Sequence, residues 1–136
     1  MKRHATALWK GSIKEGKGTL SSQSGILDKT QYSFNSRFEE GKGTNPEELI
    51  AAAHAGCFAM QLSAFLTEED FEPTSLETKG EVTLKDGKIT NSHLILEAKI
   101  DKIDQEKFDE LVNKAKKECP VSKLLDTKIS VVASLN

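Results

Sequence analysis

The chain has 136 residues, of which 37% are hydrophobic and 29% are charged, and its net charge is −2. This length predicts a single domain spanning residues 1–136, and this composition is typical of a soluble globular protein. Its 19 basic and 21 acidic residues nearly balance, which argues against nucleic acid as a partner, because such a partner requires a clustered basic face.

The N-terminal ten residues carry positive charge without an apolar stretch behind it, so they do not resemble a secretory signal. The apolar stretch 49–66 is the one candidate for a membrane span, but it contains His54 and other polar residues and is better interpreted as a buried core helix. We therefore expect a cytoplasmic protein without a membrane partner. Permanent disulfides are rare in that compartment, so any pairing of cysteines would be catalytic or redox-sensing.

The N-terminal third alternates between apolar and polar residues, which predicts three strands near 5–13, 19–22 and 31–38. The third strand is rich in aromatic residues and contains Arg37. Because successive side chains of a strand oppose each other, Arg37 is expected on the face opposite Phe38.

A well-marked helix follows. Asn45 can cap it, Pro46 suits its first position, and Glu47 and Glu48 favour the positive end of the helix dipole. Glu48 could also close a capping box with Asn45. The helix is predicted to run to about Leu66, and because it is apolar all round it should be the central, buried helix.

The remaining chain predicts strands at 76–84 and 89–100, joined by a hairpin at Asp86-Gly87. A second helix begins after Asp104, Pro120 either ends it or starts a short new one, and 128–135 forms a last strand. This order predicts an α+β fold in which largely antiparallel sheet strands pack around the central helix.

The chain contains two cysteines, Cys57 and Cys119. Cys57 lies in the middle of the apolar helix, where burial would raise its pKa, so a reactive thiolate there needs a nearby cation such as Arg37. Cys119 would lie at a helix N-terminus if Pro120 begins a short helix. The alternative is that both cysteines are small buried residues and that Arg37 faces water.

Two other kinds of site are weaker interpretations. His54 and Cys57 share a helix face, and Cys119 with His4 or His93 could complete a metal site, but the second closely spaced ligand pair typical of zinc is absent. A cysteine hydrolase with His54 as base lacks an evident acid to orient the histidine. We therefore expect no metal and no cofactor.

Four motifs resemble the OsmC/Ohr family, and its OsmC branch in particular. They are Phe34-Asn-Ser-Arg-Phe38, Gly43-Thr-Asn-Pro-Glu-Glu-Leu49, Ala52-Ala-His-Ala-Gly-Cys-Phe58 and Cys119-Pro-Val-Ser122. The resemblance extends from Trp9 to the C-terminal strand. It implies the OsmC-like fold, an intertwined homodimer and a thiol-dependent peroxidase that reduces organic hydroperoxides in oxidative or osmotic stress defence.

The resemblance also implies site residues. Cys57 would be the peroxidatic cysteine and Cys119 the resolving one, with Arg37 and Glu47 as the activating pair. Cys57 would attack the peroxide and become a sulfenic acid, Cys119 would convert that acid to a disulfide, and an external dithiol would reduce the disulfide. Arg37 would stabilise the thiolate and the leaving oxygen, and Glu47 would hold the guanidinium.

Helix geometry adds an expectation about assembly. Glu47 and Cys57 are ten residues apart in one apparent helix, so their backbones lie roughly 15 Å apart along its axis. We therefore expect a homodimer in which Glu47 reaches Cys57 of a second subunit and each active site lies at the interface. A non-enzymatic thiol redox sensor and a small-molecule-binding stress protein stay open as alternatives.

Overall fold

A computed structural model describes residues 1–136, and the chain divides into two compact units, Met1–Leu49 and Ile50–Asn136. The fold is α+β and contains two three-stranded sheets. Both sheets are antiparallel apart from one parallel pair in the second, which confirms the predicted fold class.

The first unit contains a small sheet in the order β1-β2-β3. Its strands are β1 (Ala5–Lys10), β2 (Lys17–Ser22) and β3 (Thr30–Tyr32). Trp9 and Tyr32 pack against each other across it, with their ring centroids 5.5 Å apart. Glycine at position 18 permits this contact, because a Cβ there would lie 2.4 Å from the Tyr32 ring and 2.6 Å from the Trp9 ring.

The predicted third strand is wrong beyond Tyr32. Residues Phe34–Phe38 form a short helix, α1, that carries Arg37. A capping box overrides the alternating pattern: the Ser36 amide donates to the Ser33 hydroxyl, and the Ser33 amide donates to the Ser36 hydroxyl at 2.7 Å. Four-residue spacing then brings the Phe34 and Phe38 rings to 5.0 Å.

The long helix α2 (Pro46–Glu68) begins as predicted. The Glu48 amide donates to the Asn45 side chain at 2.8 Å. The expected capping box does not close, because the Glu48 carboxylate accepts from the Thr44 hydroxyl at 2.7 Å instead.

The second unit is built on a sheet in the order β4-β5-β6. Strands β4 (Pro73–Lys85) and β5 (Lys88–Ile100) form the predicted hairpin, and β6 (Lys128–Leu135) pairs parallel to β5. Asp86 and Gly87 have φ angles of 53° and 73°, which a two-residue hairpin turn of this kind requires.

Two further helices complete this unit, α3 (Gln105–Glu118) and α4 (Pro120–Leu124). Asp104 caps α3 by accepting from the Lys107 amide at 2.7 Å. Pro120 begins a new short helix, which decides between the two alternatives for that residue.

The hydrophobic core lies between the sheet and the helices of the second unit. It comprises Phe58, Leu62, Phe65 and Leu66 of α2, Leu94, Leu96, Ala98 and Ile100 of β5, Phe108, Leu111, Val112 and Ala115 of α3, and Cys119. Helix and sheet approach closely at glycine 80, where a Cβ would lie 2.6 Å from the Ala51 carbonyl oxygen.

Helix α2 buries only one side in the single chain. Between residues 52 and 64 its exposed residues are small or apolar, and we call them the α2 apolar face: Ala52, Ala53, Gly56, Met60 and Ala64. Met60 is 78% exposed. By length and composition α2 could also cross a membrane. The core helices of globular proteins can have the same length and composition, and the opposite side of α2 packs into the core.

Candidate active site

The two cysteine thiols meet in the second unit. Cys57 projects from the middle of α2 and is partly exposed, whereas Cys119 is fully buried. The Cys119 side chain and the Val121 backbone lie close enough to the Cys57 thiol to shift its pKa, and Cys57 packs against the core cluster that includes Cys119. Cys119 ends α3 and caps α4, so the junction of these helices holds the second thiol against the first.

The surroundings of Cys57 within its unit favour the neutral thiol. Burial, followed by the interaction with the Cys119 thiol, raises the pKa of Cys57, and only the Val121 backbone contact lowers it. No cation of the second unit is among these groups. A reactive thiolate at this position therefore still needs the positive charge that the sequence led us to expect.

Arg37 and Glu47 form an ion pair in the first unit. The Arg37 Nε and Nη2 both donate to Glu47 Oε1 at 3.0 Å, and Nε also lies 3.4 Å from Oε2. The side chain of Glu47 is 12% exposed and that of Arg37 is 39% exposed. Because the carboxylate holds the planar guanidinium at two nitrogens, the cation is fixed in orientation while one side stays accessible.

An apolar cavity adjoins this ion pair. Its volume is about 210 Å³, and its lining is largely aromatic: Trp9, Ile13, Tyr32, Ser33, Phe34, Arg37, Phe38 and Pro46. The Arg37 guanidinium lies 5.1 Å from the Phe38 ring centroid. The first unit thus offers a fixed cation beside a space suited to a hydrocarbon group.

His54 is neither the metal ligand nor the catalytic base that the sequence left open. It is fully buried, and its Nδ1 and Nε2 lie 2.6 Å from the Ser92 hydroxyl and 2.8 Å from the Ser122 hydroxyl. Since both ring nitrogens have serine partners, His54 is not placed as a base for Cys57 or as a metal ligand beside it. No cluster of three His, Cys, Asp or Glu side chains forms a candidate metal site.

The buried His54 should make the protein less stable in acid. Burial lowers its pKa, whereas the unfolded chain takes up the proton at about pH 6.5. Below that pH the unfolded state binds more protons, so the free energy of unfolding falls as the pH drops toward the lowered pKa. Urea unfolding between pH 7.5 and 5 measures this. His54→Asn should have a shallower pH dependence, and equal dependence in both proteins would contradict the assignment.

The structure brings together two pairs of the four residues expected from the sequence. Cys57 contacts Cys119 in the second unit, and Arg37 binds Glu47 in the first. Sequence reasoning missed the Val121 amide and the two serines that bind His54. The Cys-Pro-Val-Ser run was a signal for Val121 and Ser122 alone, since a helix that starts at Pro120 places both in its first turn, and no sequence signal indicated Ser92.

This α+β fold with a contacting pair of free thiols defines a class of two-cysteine redox protein. The family model for OsmC-like protein matches residues 39–134. The chain belongs to the OsmC-like family, as its motifs led us to expect.

Curated relatives support the same membership. The chain is 49% identical over 129 residues to peroxiredoxin OsmC of Escherichia coli (strain K12), covering 92% of this chain and 90% of that protein. It is 35% identical over 121 residues to organic hydroperoxide resistance protein OhrB of Bacillus subtilis (strain 168), covering 87% and 88%.

Solved structures show the same fold. The crystal structure of OhrB from Bacillus subtilis matches with a TM-score of 0.68 and 29% identity over 98% of both chains. An OsmC-like protein of unknown function from Vibrio cholerae matches with a TM-score of 0.74 over 98% of this chain and 99% of that one, at 15% identity.

Proposed function

We propose that this protein is a cysteine-based peroxidase that reduces organic hydroperoxides to alcohols. The observation that carries the proposal is the contact between the Cys57 and Cys119 thiols, in a chain 49% identical to a peroxiredoxin. The direct test is consumption of an alkyl hydroperoxide by the purified protein with a dithiol. Failure to consume it with any dithiol would overturn the proposal.

Each cysteine has one role in the proposed cycle. The Cys57 thiolate attacks the terminal peroxide oxygen, the O–O bond breaks, and the alkoxide leaves and takes up a proton, so that Cys57 becomes a sulfenic acid. The Cys119 sulfur then displaces the hydroxyl as water and forms the disulfide. An external dithiol then reduces that disulfide by thiol–disulfide exchange. We propose that this cycle takes place in the cytoplasm.

Arg37 is proposed to supply the missing cation. A guanidinium at the thiolate lowers the thiol pKa and stabilises the negative charge that develops on the leaving oxygen. Glu47 keeps the guanidinium in one orientation through the contacts at 3.0 Å. The aromatic cavity beside Arg37 is suited to the organic part of a hydroperoxide, and this favours an alkyl substrate over hydrogen peroxide.

We further propose that the working form is a homodimer in which Arg37 and Glu47 of one chain serve Cys57 of the other. Glu47 and Cys57 lie in one unbroken helix, so their backbones are roughly 15 Å apart along its axis. The α2 apolar face supports a second copy as its occupant, because Ala52, Gly56 and Ala64 are small residues on one side of the helix and allow close approach of helices around the apolar Met60.

A charge on the α2 apolar face should therefore give monomers. We expect Met60→Lys to halve the mass measured by analytical ultracentrifugation and to reduce peroxidase activity, because an unpaired charge does not fit a buried apolar contact. Val132→Lys is the matched control, since Val132 is also exposed, at 59%, but lies on the sheet. A Met60→Lys protein with the mass of the wild type would rule out this face as the dimer contact.

A further inference from the structure

The fully buried His54 joins two separate elements to α2. Its Nδ1 contacts Ser92, in the middle of β5, and its Nε2 contacts Ser122, on α4. Ser92 is itself held between neighbouring strands, opposite Val82 and Ile129. The serine on β5 is therefore a fixed point, and the histidine connects it to the short helix.

The neutral ring satisfies both serines. A neutral imidazole has one N–H donor and one acceptor nitrogen, and a serine hydroxyl can donate or accept. One serine can therefore accept from the ring while the other donates to it, without an unpaired polar atom. Because neither nitrogen is left over, the side chain is placed to hold structure together rather than to move a proton at Cys57.

Helix α4 needs such a connection. It has five residues, which is too short to be stable alone. Its one buried residue is Ser122, Val121 is half-buried, and Leu124 is 78% exposed. Apolar burial therefore holds α4 mainly at its N-cap residue, Cys119, and the hydrogen bond between Ser122 and His54 is its buried polar anchor.

The short helix carries both groups that contact the Cys57 thiol. Cys119 is its N-cap residue, and Val121 lies in its first turn. His54 precedes Cys57 by three residues and so shares its side of α2. His54 therefore links the position of α4, which begins at Cys119, to the position of Cys57 on α2.

We propose that His54 is a positioning residue for closure of the Cys57–Cys119 disulfide, acting through Ser122 and anchored by Ser92. This inference rests on the proposed peroxidase function. In the step concerned, the Cys119 sulfur bonds to the Cys57 sulfur, the S–O bond of the sulfenic acid breaks, and its hydroxyl leaves as water with the proton of Cys119. Loss of the connection lets α4 move and slows this step more than the preceding attack on peroxide.

The test is a single-turnover experiment on Ser122→Ala. The full-length protein receives one equivalent of alkyl hydroperoxide, and quenched samples are analysed by mass spectrometry for Cys57 sulfenic acid, disulfide and sulfinic acid. We expect disulfide formation to slow by about tenfold, which is about 1.4 kcal/mol, while peroxide consumption changes less than about threefold. At excess peroxide, the longer-lived sulfenic acid should yield more sulfinic acid.

Ser130→Ala is the matched control. The Ser130 hydroxyl also contacts a histidine nitrogen, Nδ1 of His93, at 2.6 Å, but this pair joins β5 to β6 and does not reach α4. The control should keep the wild-type ratio of the two rates. Where Ser122→Ala does not fold, Ser92→Ala removes the other end of the connection and is judged by the same ratio.

The outcomes separate this inference from the proposed function. Wild-type protein that consumes no peroxide refutes the peroxidase. Wild-type protein that turns over while Ser122→Ala forms its disulfide at the wild-type rate refutes only the role of His54. Equal slowing of both steps also overturns that role, because it indicates a general structural defect rather than a shift of the resolving thiol.

Discussion

Replacing Cys57 with serine is expected to lower hydroperoxide reduction at least about a thousandfold, in the range that loss of a catalytic nucleophile costs. Serine cannot supply a thiolate or form a sulfenic acid, so neither the attack nor the disulfide is possible. The measurement is the loss of an alkyl hydroperoxide with a dithiol in excess. Substantial turnover in Cys57→Ser would refute the cycle proposed here.

Cys119→Ser is the matched variant, because it makes the same change at the thiol that contacts Cys57. It should consume about one equivalent of peroxide in a first turnover and leave Cys57 as a sulfenic acid that mass spectrometry detects. Sustained turnover with a dithiol should fall, and sulfinic acid should accumulate. A non-enzymatic redox sensor would instead show Cys57 oxidation in wild type without turnover.

The elements that the sequence predicts well are those with strong, sustained patterns. Helix α3 has a long apolar stripe and an aspartate cap, and the β4–β5 hairpin has Asp86-Gly87 at its turn. The prediction of a strand at α1 was wrong because five residues carry too little helical periodicity to outweigh an apparent alternation. The Ser33 and Ser36 capping box decides the conformation of this segment, and serines in a sequence are also common in turns. The prediction that α2 is buried on all sides was wrong for a single chain. An apolar sequence does not distinguish a helix surface covered by the same chain from one covered by a second copy.

The candidate site divides in the same way. Residue types and their resemblance to a family predicted Cys57, Cys119, Arg37 and Glu47 as the site residues, and the structure pairs them within each unit. The connection through His54 depends on partners 38 and 68 residues away in sequence. No local pattern encodes such distant contacts, since the serines look like any other polar residues until the sheet and α4 bring them to the ring.

Arg37→Ala should lower the rate of reaction with hydroperoxide by about 10²–10³, the usual effect of removing one group that stabilises developing negative charge. The Cys57 pKa should also rise relative to that of the wild-type dimer, because burial raises it and no cation of its own unit is among the groups that shift it. Stopped-flow measurement of peroxide consumption against pH separates the two effects. Arg37→Lys is the matched control. Its rate should fall between those of the wild type and Arg37→Ala, because lysine keeps the charge but loses the paired contacts with Glu47.

Mixing two inactive variants then tests whether the site is shared between chains. In a heterodimer of Arg37→Ala and Cys57→Ser, the intact Cys57 of one chain meets the intact Arg37 of the other if each site combines both subunits. Random exchange makes half of the dimers heterodimers with one working site each, so about a quarter of wild-type activity should return. Sites contained within single chains would gain nothing from mixing, because every chain lacks one of the two residues.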